Sequence, residues 1–306
     1  MKVLLVTFED PGRPTGGLGV FIREFSAELK KHCEVKVLML DLPKSDHHEP
    51  SDLIDVYVSP TVLYESDVPE AHRMAFPHAA YAEAIRQLDG WQPDIIHCND
   101  RQTYLPFMYC KNVVFSLHLS LPDLFGLRAM TDSWYRELKI EKLAAEHADA
   151  LVVYSEYYRQ RVFRNISGLA SPIKLPLGID TSRYYSKPLG DRIVVSFFGR
   201  LVKFQKGVDA FLDAVARLPD AWMREHKIEV RLYGKSANPD AIGTRLKVHS
   251  VSFVDGEEKY RAYAESDIVV MPSHYEPFGL VGLEALASGC VLIATKGLGM
   301  DEYLVD

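Results

Sequence analysis

Short apolar, β-branched runs alternate with stretches whose apolar positions recur every three or four residues, along almost the whole chain. The runs at 2–8, 34–40, 94–98, 112–117, 150–154 and 172–176 read as strands, and 19–32, 77–89, 133–147 and 156–164 as amphipathic helices. That alternation predicts a parallel sheet covered by helices. Residues 41–76, rich in Asp, Ser, His and Pro, break the rhythm and read as an exposed loop with a weak strand near 54–58. Thr181 to Asp191 carries Ser, Pro, Gly and two tyrosines without periodicity, as an interdomain linker does. A second series follows, with strands at 192–198, 228–234, 250–254, 267–271 and 290–294 and helices at 206–217, 257–265 and 279–288. The expectation is an α/β chain of two Rossmann-like domains, 1–185 and 186–306, with a ligand cleft at the carboxyl ends of both sheets.

The loops at those strand ends hold the candidate chemistry. Glu276 and Glu284 bracket Pro277-Phe278-Gly279-Leu280-Val281-Gly282-Leu283, a loop that runs into a helix. At 1.5 Å of rise per residue, eight positions span roughly 12 Å. A helix N-terminus between two carboxylates is a phosphate cradle with an acceptor on either side, the layout of hexose, diphosphate and ribose in a nucleotide sugar. Arg200 follows a strand directly and Lys206-Gly207 opens the next helix, so two cations can neutralise a diphosphate, with Lys203 competing for the second place. Gly16-Gly17-Leu18-Gly19 offers bare backbone N–H groups ahead of the first helix. His118 ends a strand and suits hydrogen bonding to a sugar hydroxyl or stabilisation of developing charge, whereas His97 reads as a core residue. Local packing, capping and surface ion pairs are the competing explanations for each of these residues.

Several functions fall away. Gly16 to Ile22 is not a full dinucleotide fingerprint, and Gly234-Lys235-Ser236 lacks the upstream glycine of a P-loop because Glu229 stands there. His97, Cys98, Asp100 and His118 match no standard zinc spacing, and there is no Asp-x-Asp triplet. The 306 residues are 47% hydrophobic and 25% charged, enough for two cores. A net charge of -7 disfavours nucleic acid as a partner. Cys33, Cys98, Cys110 and Cys290 are scattered and read as reduced thiols of a cytoplasmic protein. Met1 to Phe8 reads as a buried first strand rather than a signal peptide, and no apolar stretch is long enough to span a bilayer.

The run Ser273-His274-Tyr275-Glu276-Pro277-Phe278-Gly279-Leu280 through Glu284-Ala285-Leu286-Ala287-Ser288-Gly289 resembles the Glu-x7-Glu signature of retaining GT-B glycosyltransferases of family 4, which include archaeal-type glycogen synthases. Phe198-Gly199-Arg200-Leu201 with Lys206-Gly207-Val208, Ala148 to Glu156, and Leu177-Gly178-Ile179-Asp180 are similar to further family segments in the expected order. The resemblance implies a GT-B fold and a metal-independent enzyme that needs no cofactor beyond its nucleotide-diphosphate sugar. It implies that Arg200 and Lys206 bind the donor diphosphate, Glu284 the ribose hydroxyls and Glu276 the donor sugar, with His118 also on the sugar. Gly16 and Gly17, Gly234, Phe278 and the amides of Gly279 and Leu280 complete the implied donor site. No enzymic nucleophile stands out, so front-face attack is the expected route.

Three features depart from the pattern. The interval from Arg200 to Lys206 is one residue longer than in most bacterial members, and Pro14 stands where glycogen synthases carry lysine. The chain also stops at Asp306, where the family continues, so the second domain is expected to be truncated, marginally stable and open to self-association. A non-catalytic nucleotide-sugar-binding subunit, a sugar epimerase and a phosphorylase stay open as alternatives. The acceptor is expected to be a carbohydrate or a lipid-linked sugar shaped by loops 41–76 and 119–132. Leu119 to Met130 is the first place to look for peripheral membrane contact, unless it is a lid packed on the core.

Overall fold

Leu4, Leu5 and Val6 are buried together in the strand β1 (Lys2–Thr7), as a strand at the centre of a two-faced parallel sheet must be. The computed structural model describes residues 1–41, 49–59, 77–126, 131–166, 171–234, 248–251 and 253–304. Two units emerge, Met1–Val153 with Arg159–Leu175, and Tyr154–Tyr158 with Pro176–Asp306.

In the first unit β1 is joined by β2 (Glu34–Leu40), β3 (Val56–Val58), β4 (Ile95–Asn99), β5 (Val113–Ser116), β6 (Ala150–Val153) and β7 (Ile173–Lys174). The order is β3-β2-β1-β4-β5-β6-β7, with every pairing parallel. Its helices are α1 (Gly17–Leu29), α2 (Pro77–Leu88), α3 (Leu121–Phe125), α4 (Asp132–His147) and α5 (Glu156–Asn165), whose first turn belongs to the second unit. The chain reverses direction across the sheet between β1 and β4, which makes their carboxyl ends the switch point where such sheets bind ligands.

The second unit contains β8 (Ile193–Phe198), α6 (Lys203–Lys206), α7 (Val208–Ala216), α8 (Asp220–Glu225), β9 (Ile228–Tyr233), β10 (Val248–Val251), α9 (Gly256–Ala264), β11 (Ile268–Met271), α10 (Leu280–Ala287) and β12 (Val291–Ala294). Its sheet is parallel in the order β10-β9-β8-β11-β12, so the switch point lies between β8 and β11. Phe198 stacks between Tyr233 and Tyr263, at centroid separations of 4.5 and 4.0 Å, and this aromatic layer ties β8, β9 and α9 into one core.

The structure departs from the sequence reading in specific places. The helix expected over 206–217 is two helices, because Gly207 is left-handed (φ 66°) and its α-carbon faces the Pro272 carbonyl so closely that a Cβ would stand 2.1 Å from the oxygen. Lys206 therefore closes a short helix, and Gly207 precedes the next. Residues 176–185, read as part of the first domain, pack with the second, since Tyr184 lies against Tyr260 and Tyr263. Segment 154–158 joins them, with the Ser155 hydroxyl donating to the Pro277 carbonyl. The helices α3 and α8 were too short to give a periodic signal.

Leu121 and Leu124, in the segment 119–130 read as either a membrane contact or a lid packed on the core, are buried, so the start of that segment is packed. Glu141 of α4 holds it there, accepting from Ser120 Oγ (2.8 Å) and from the Leu121 amide (2.9 Å), and burial pushes its carboxyl up to about 7. Residues 127–130, and 42–48 and 60–76 of the loop expected to shape the acceptor site, lie outside the described residues. Among the described residues no helix is long and apolar enough to cross a membrane.

Candidate functional site

In the second unit the loops leaving β8 and β11 are fastened to each other. Arg200 Nη2 donates to Gln205 Oε1 at 3.0 Å, and the backbone carbonyl of that buried glutamine accepts from the His274 amide at 2.8 Å. Gly207 allows the same close approach one residue beyond Lys206. The two loops flanking the switch point thus bring Arg200, Lys206 and Glu276 into one neighbourhood, where Lys206 Nζ meets Glu276 Oε2 at 2.5 Å. Both side chains are largely buried, 19% and 10% exposed, so the pair is screened less than a surface ion pair.

Backbone contacts fix the loop Glu276–Gly279. The Glu276 carbonyl accepts from the Gly299 amide, the Pro277 carbonyl from Ser155 and the Gly279 carbonyl from the Tyr303 hydroxyl. Burial, and then the charges of Glu276 and Glu284, push the Tyr303 phenol up, so it stays a neutral donor. Gly279 is left-handed (φ 87°) immediately before α10, and a Cβ there would lie 2.7 Å from Met300 Cγ. The amides of Leu280 and Val281 lie ahead of the first bond of α10, which runs from the Gly282 amide to the Gly279 carbonyl at 3.0 Å, and they carry the positive end of the helix dipole. Phe278 is buried with its ring against Tyr303, at a centroid separation of 5.5 Å, so its side chain is structural and its backbone alone is available. Gly234 follows β9, where a Cβ would stand 1.8 Å from the Gly199 carbonyl oxygen; it lets that strand end close on the turn that carries Arg200. Lys235, Ser236 and the side chain of Lys203 lie outside the described residues.

Glu284, about one turn into α10, sits in a cage the sequence did not disclose. Its Oε1 accepts from Lys259 Nζ at 2.7 Å and from the Tyr184 hydroxyl at 2.9 Å, and its Oε2 from the Tyr263 hydroxyl at 2.7 Å. Lys259 also lies over the rings of Tyr184 and Tyr260, at 5.8 and 5.3 Å. Burial, and then Glu284, push the Tyr263 phenol up and keep it a donor. Lys259 and Tyr263, four residues apart on one face of α9, were the available signal. With Lys206 at Glu276 and Lys259 at Glu284, each carboxylate of the motif has its own lysine.

In the first unit the glycine loop has an internal anion. Gly16 caps α1, and Glu9 Oε2 accepts from the Gly19 amide at 2.9 Å, so a carboxylate of the chain already lies against the first turn of α1. A Cβ on Gly17 would meet nothing within 4 Å, so that position stays open. His97 accepts or donates at Ser116 Oγ, 2.7 Å away, and burial lowers it to about 4. His118, after β5, has Nε2 3.2 Å from Asn99 Oδ1 and its ring edge-on to Phe21 at 4.9 Å. Burial, and then His97, push His118 down to about 3, so at neutral pH it is an uncharged hydrogen-bonding group rather than a cation that offsets developing negative charge.

A consequence can be measured. Below pH 6.5 the unfolded chain takes up the His118 proton and the folded chain resists it, so this histidine's contribution is complete above pH 6.5 and is lost on acidification. Between pH 6.5 and 5, His118→Gln is expected to gain about 2 kcal/mol relative to the parent. Urea unfolding across that range checks this, and parallel pH profiles would contradict it.

Among the described residues no cluster of His, Cys, Asp and Glu is grouped to hold a metal ion, and all four cysteines are free thiols. The family profile described as Glycosyltransferase Family 4 matches residues 15–183, and that described as Glycosyl transferases group 1 matches 192–306. An uncharacterized glycosyltransferase of Methanocaldococcus jannaschii is 25% identical over 334 residues, covering 99% of this chain and 83% of its own. Glycogen synthase of Mycobacterium tuberculosis is 24% identical over 340 residues, covering 100% and 80%. Sucrose-phosphate synthase from Thermosynechococcus elongatus shares the fold with a TM-score of 0.73 at 19% identity, over 96% of this chain and 81% of that one. HepE of Anabaena, crystallised with UDP-glucose, does so with a TM-score of 0.71 at 18% identity, over 100% and 83%. The fold is GT-B, and the chain belongs to the family 4, group 1 glycosyltransferases, enzymes that act on nucleotide sugars.

Proposed function

We propose that the enzyme moves a hexose from a nucleoside diphosphate sugar to a hydroxyl of a carbohydrate or lipid-linked acceptor, with retention of anomeric configuration. The observation that carries this reading is the placement of Arg200, Lys206, the start of α10 and Glu276 around one switch point, with Glu284 further along the same helix. Arg200, Lys206 and the leading amides of α10 take the diphosphate. Glu276 faces the sugar and Glu284 the ribose.

In the reaction the bond from the anomeric carbon to the β-phosphate oxygen breaks, and its electron pair stays on the diphosphate. The acceptor oxygen forms its bond to the anomeric carbon on the same face and gives its proton to the departing phosphate oxygen. The protein supplies charge that is in place before the bond breaks: two cations and a helix N-terminus at the leaving group, and a carboxylate near the developing oxocarbenium. That charge takes the part a divalent ion plays elsewhere, so no metal or other cofactor is required. The Gly16-Gly17 loop of the first unit serves an uncharged group in preference to a phosphate, because Glu9 already lies against the start of α1. Its donor is a cytoplasmic metabolite class, which suits the four free thiols.

The test is stereochemical. Proton NMR of the first product formed from an α-linked donor is expected to show the α-anomer; a β-anomer would reject retention while leaving donor binding intact.

A further inference from the structure

Glu284 meets a ribose with most of its hydrogen-bonding capacity already used. A carboxylate offers about four lone-pair positions. Lys259 and Tyr184 fill both positions on Oε1, and Tyr263 takes one on Oε2. One position remains, whereas a ribose brings two hydroxyl donors. A ribose bound through both hydroxyls must therefore displace one of the three donors.

They are not equally able to leave. Lys259 is 11% exposed at its side chain, and removing it would leave two buried unpaired charges. Tyr263 is 1% exposed and stacked on Phe198 at 4.0 Å. Tyr184 is half-buried, follows the single turn Thr181–Arg183, and has exposed neighbours in Arg183 and Tyr185. It is an uncharged donor on a segment without sheet or long-helix pairing, so its departure costs least.

We propose that the Tyr184 hydroxyl holds the place of a ribose hydroxyl on Glu284, which makes Tyr184 a residue that sets how strongly the enzyme prefers ribonucleotides to 2′-deoxyribonucleotides. This rests on the assignment of Glu284 to the ribose. A 2′-deoxyribonucleotide can use the single open position through its 3′-hydroxyl and leave Tyr184 where it is. A ribonucleotide exchanges the phenol for its second hydroxyl, so the full worth of that contact is never gained.

The experiment is calorimetric titration of the whole chain with UDP, ADP and GDP and their 2′-deoxy counterparts, in the parent, Tyr184→Phe, Glu284→Gln and Glu284→Asp. Tyr184→Phe keeps the ring against Tyr260 and Lys259 and removes only the donor. It is expected to tighten the preferred ribonucleotide about tenfold and leave its deoxy form unchanged, widening the ratio by the same factor. Both Glu284 variants are expected to collapse the ratio, and the aspartate version keeps a charge for Lys259. If Tyr184→Phe leaves the ratio unchanged or weakens both ligands while the Glu284 variants still collapse it, Tyr184 is a wall of the subsite and this proposal fails alone. If the Glu284 variants leave the ratio unchanged, the ribose assignment fails, and the proposal with it.

Discussion

Glu276→Ala is expected to lower the transfer rate by about 10³-fold while nucleoside diphosphate binds as tightly as before or more tightly. Glu276 lies 2.5 Å from Lys206 Nζ. In the free enzyme that lysine is shared between its own carboxylate and whatever phosphate arrives. Removing the carboxylate releases Lys206 to the diphosphate, so ground-state binding of the nucleotide cannot suffer through charge. In the proposed reaction the loss falls on the sugar side, where a fixed negative charge beside the anomeric carbon counts most as positive charge develops. Steady-state kinetics with calorimetry of the nucleotide separate the two. Near-normal turnover would remove Glu276 from the reaction, and a matched loss of nucleotide affinity would place it on the diphosphate. Glu276→Gln keeps the shape of the loop and serves as the folding control.

The second large effect belongs to the cations. Arg200→Ala and Lys206→Ala are each expected to reduce kcat/KM by about 10²-fold to 10³-fold, since in the proposed site each removes a charge-assisted contact that strengthens as the diphosphate departs. The two differ in a way the structure specifies. Arg200 is exposed and held by the neutral Gln205, so its loss leaves no charge stranded. Lys206 neutralises the carboxylate of a side chain that is 10% exposed, so Lys206→Ala also costs folding stability, of the order of 3 kcal/mol, by leaving Glu276 buried and unpaired. Thermal melts alongside the kinetics test this. Equal melting temperatures for both variants would mean that the ion pair contributes little to the fold, and unchanged kcat/KM in both would detach them from the donor.

Much of this architecture was legible because it depends on local pattern. The strand and helix periods placed the parallel strands of the described residues near their observed positions, and the loop-to-helix passage at Glu276 was readable from Pro277 and Gly279. What escaped depends on contacts across long stretches of chain. Lys259 and Tyr184 reach Glu284 from 25 and 100 residues away, and nothing in either local sequence marks the meeting. The pairing of Lys206 with Glu276 spans 70 residues and turned two separately read residues into one ion pair. Glu9 was passed over because a carboxylate ten residues ahead of Gly19 has no visible reason to fold back on its amide. The break at Gly207 was missed because its cause, the Pro272 carbonyl, belongs to another strand's exit. The unit boundary moved for the same reason: residues 176–185 read as the end of the first domain, with a linker from Thr181, yet Tyr184 has its aromatic partner Tyr260 far along the chain.

The central claim is that the Glu276–Glu284 site cleaves nucleoside diphosphate sugars. Mass spectrometry of the whole chain incubated with UDP-, ADP- and GDP-hexoses, with and without a mixture of sugar acceptors, tests it most directly. The account predicts nucleoside diphosphate release from one of these donors, accelerated by an acceptor that gains one hexose, and lost in Glu276→Ala. Intact donors under all of these conditions, or cleavage that survives in Glu276→Ala, would contradict it.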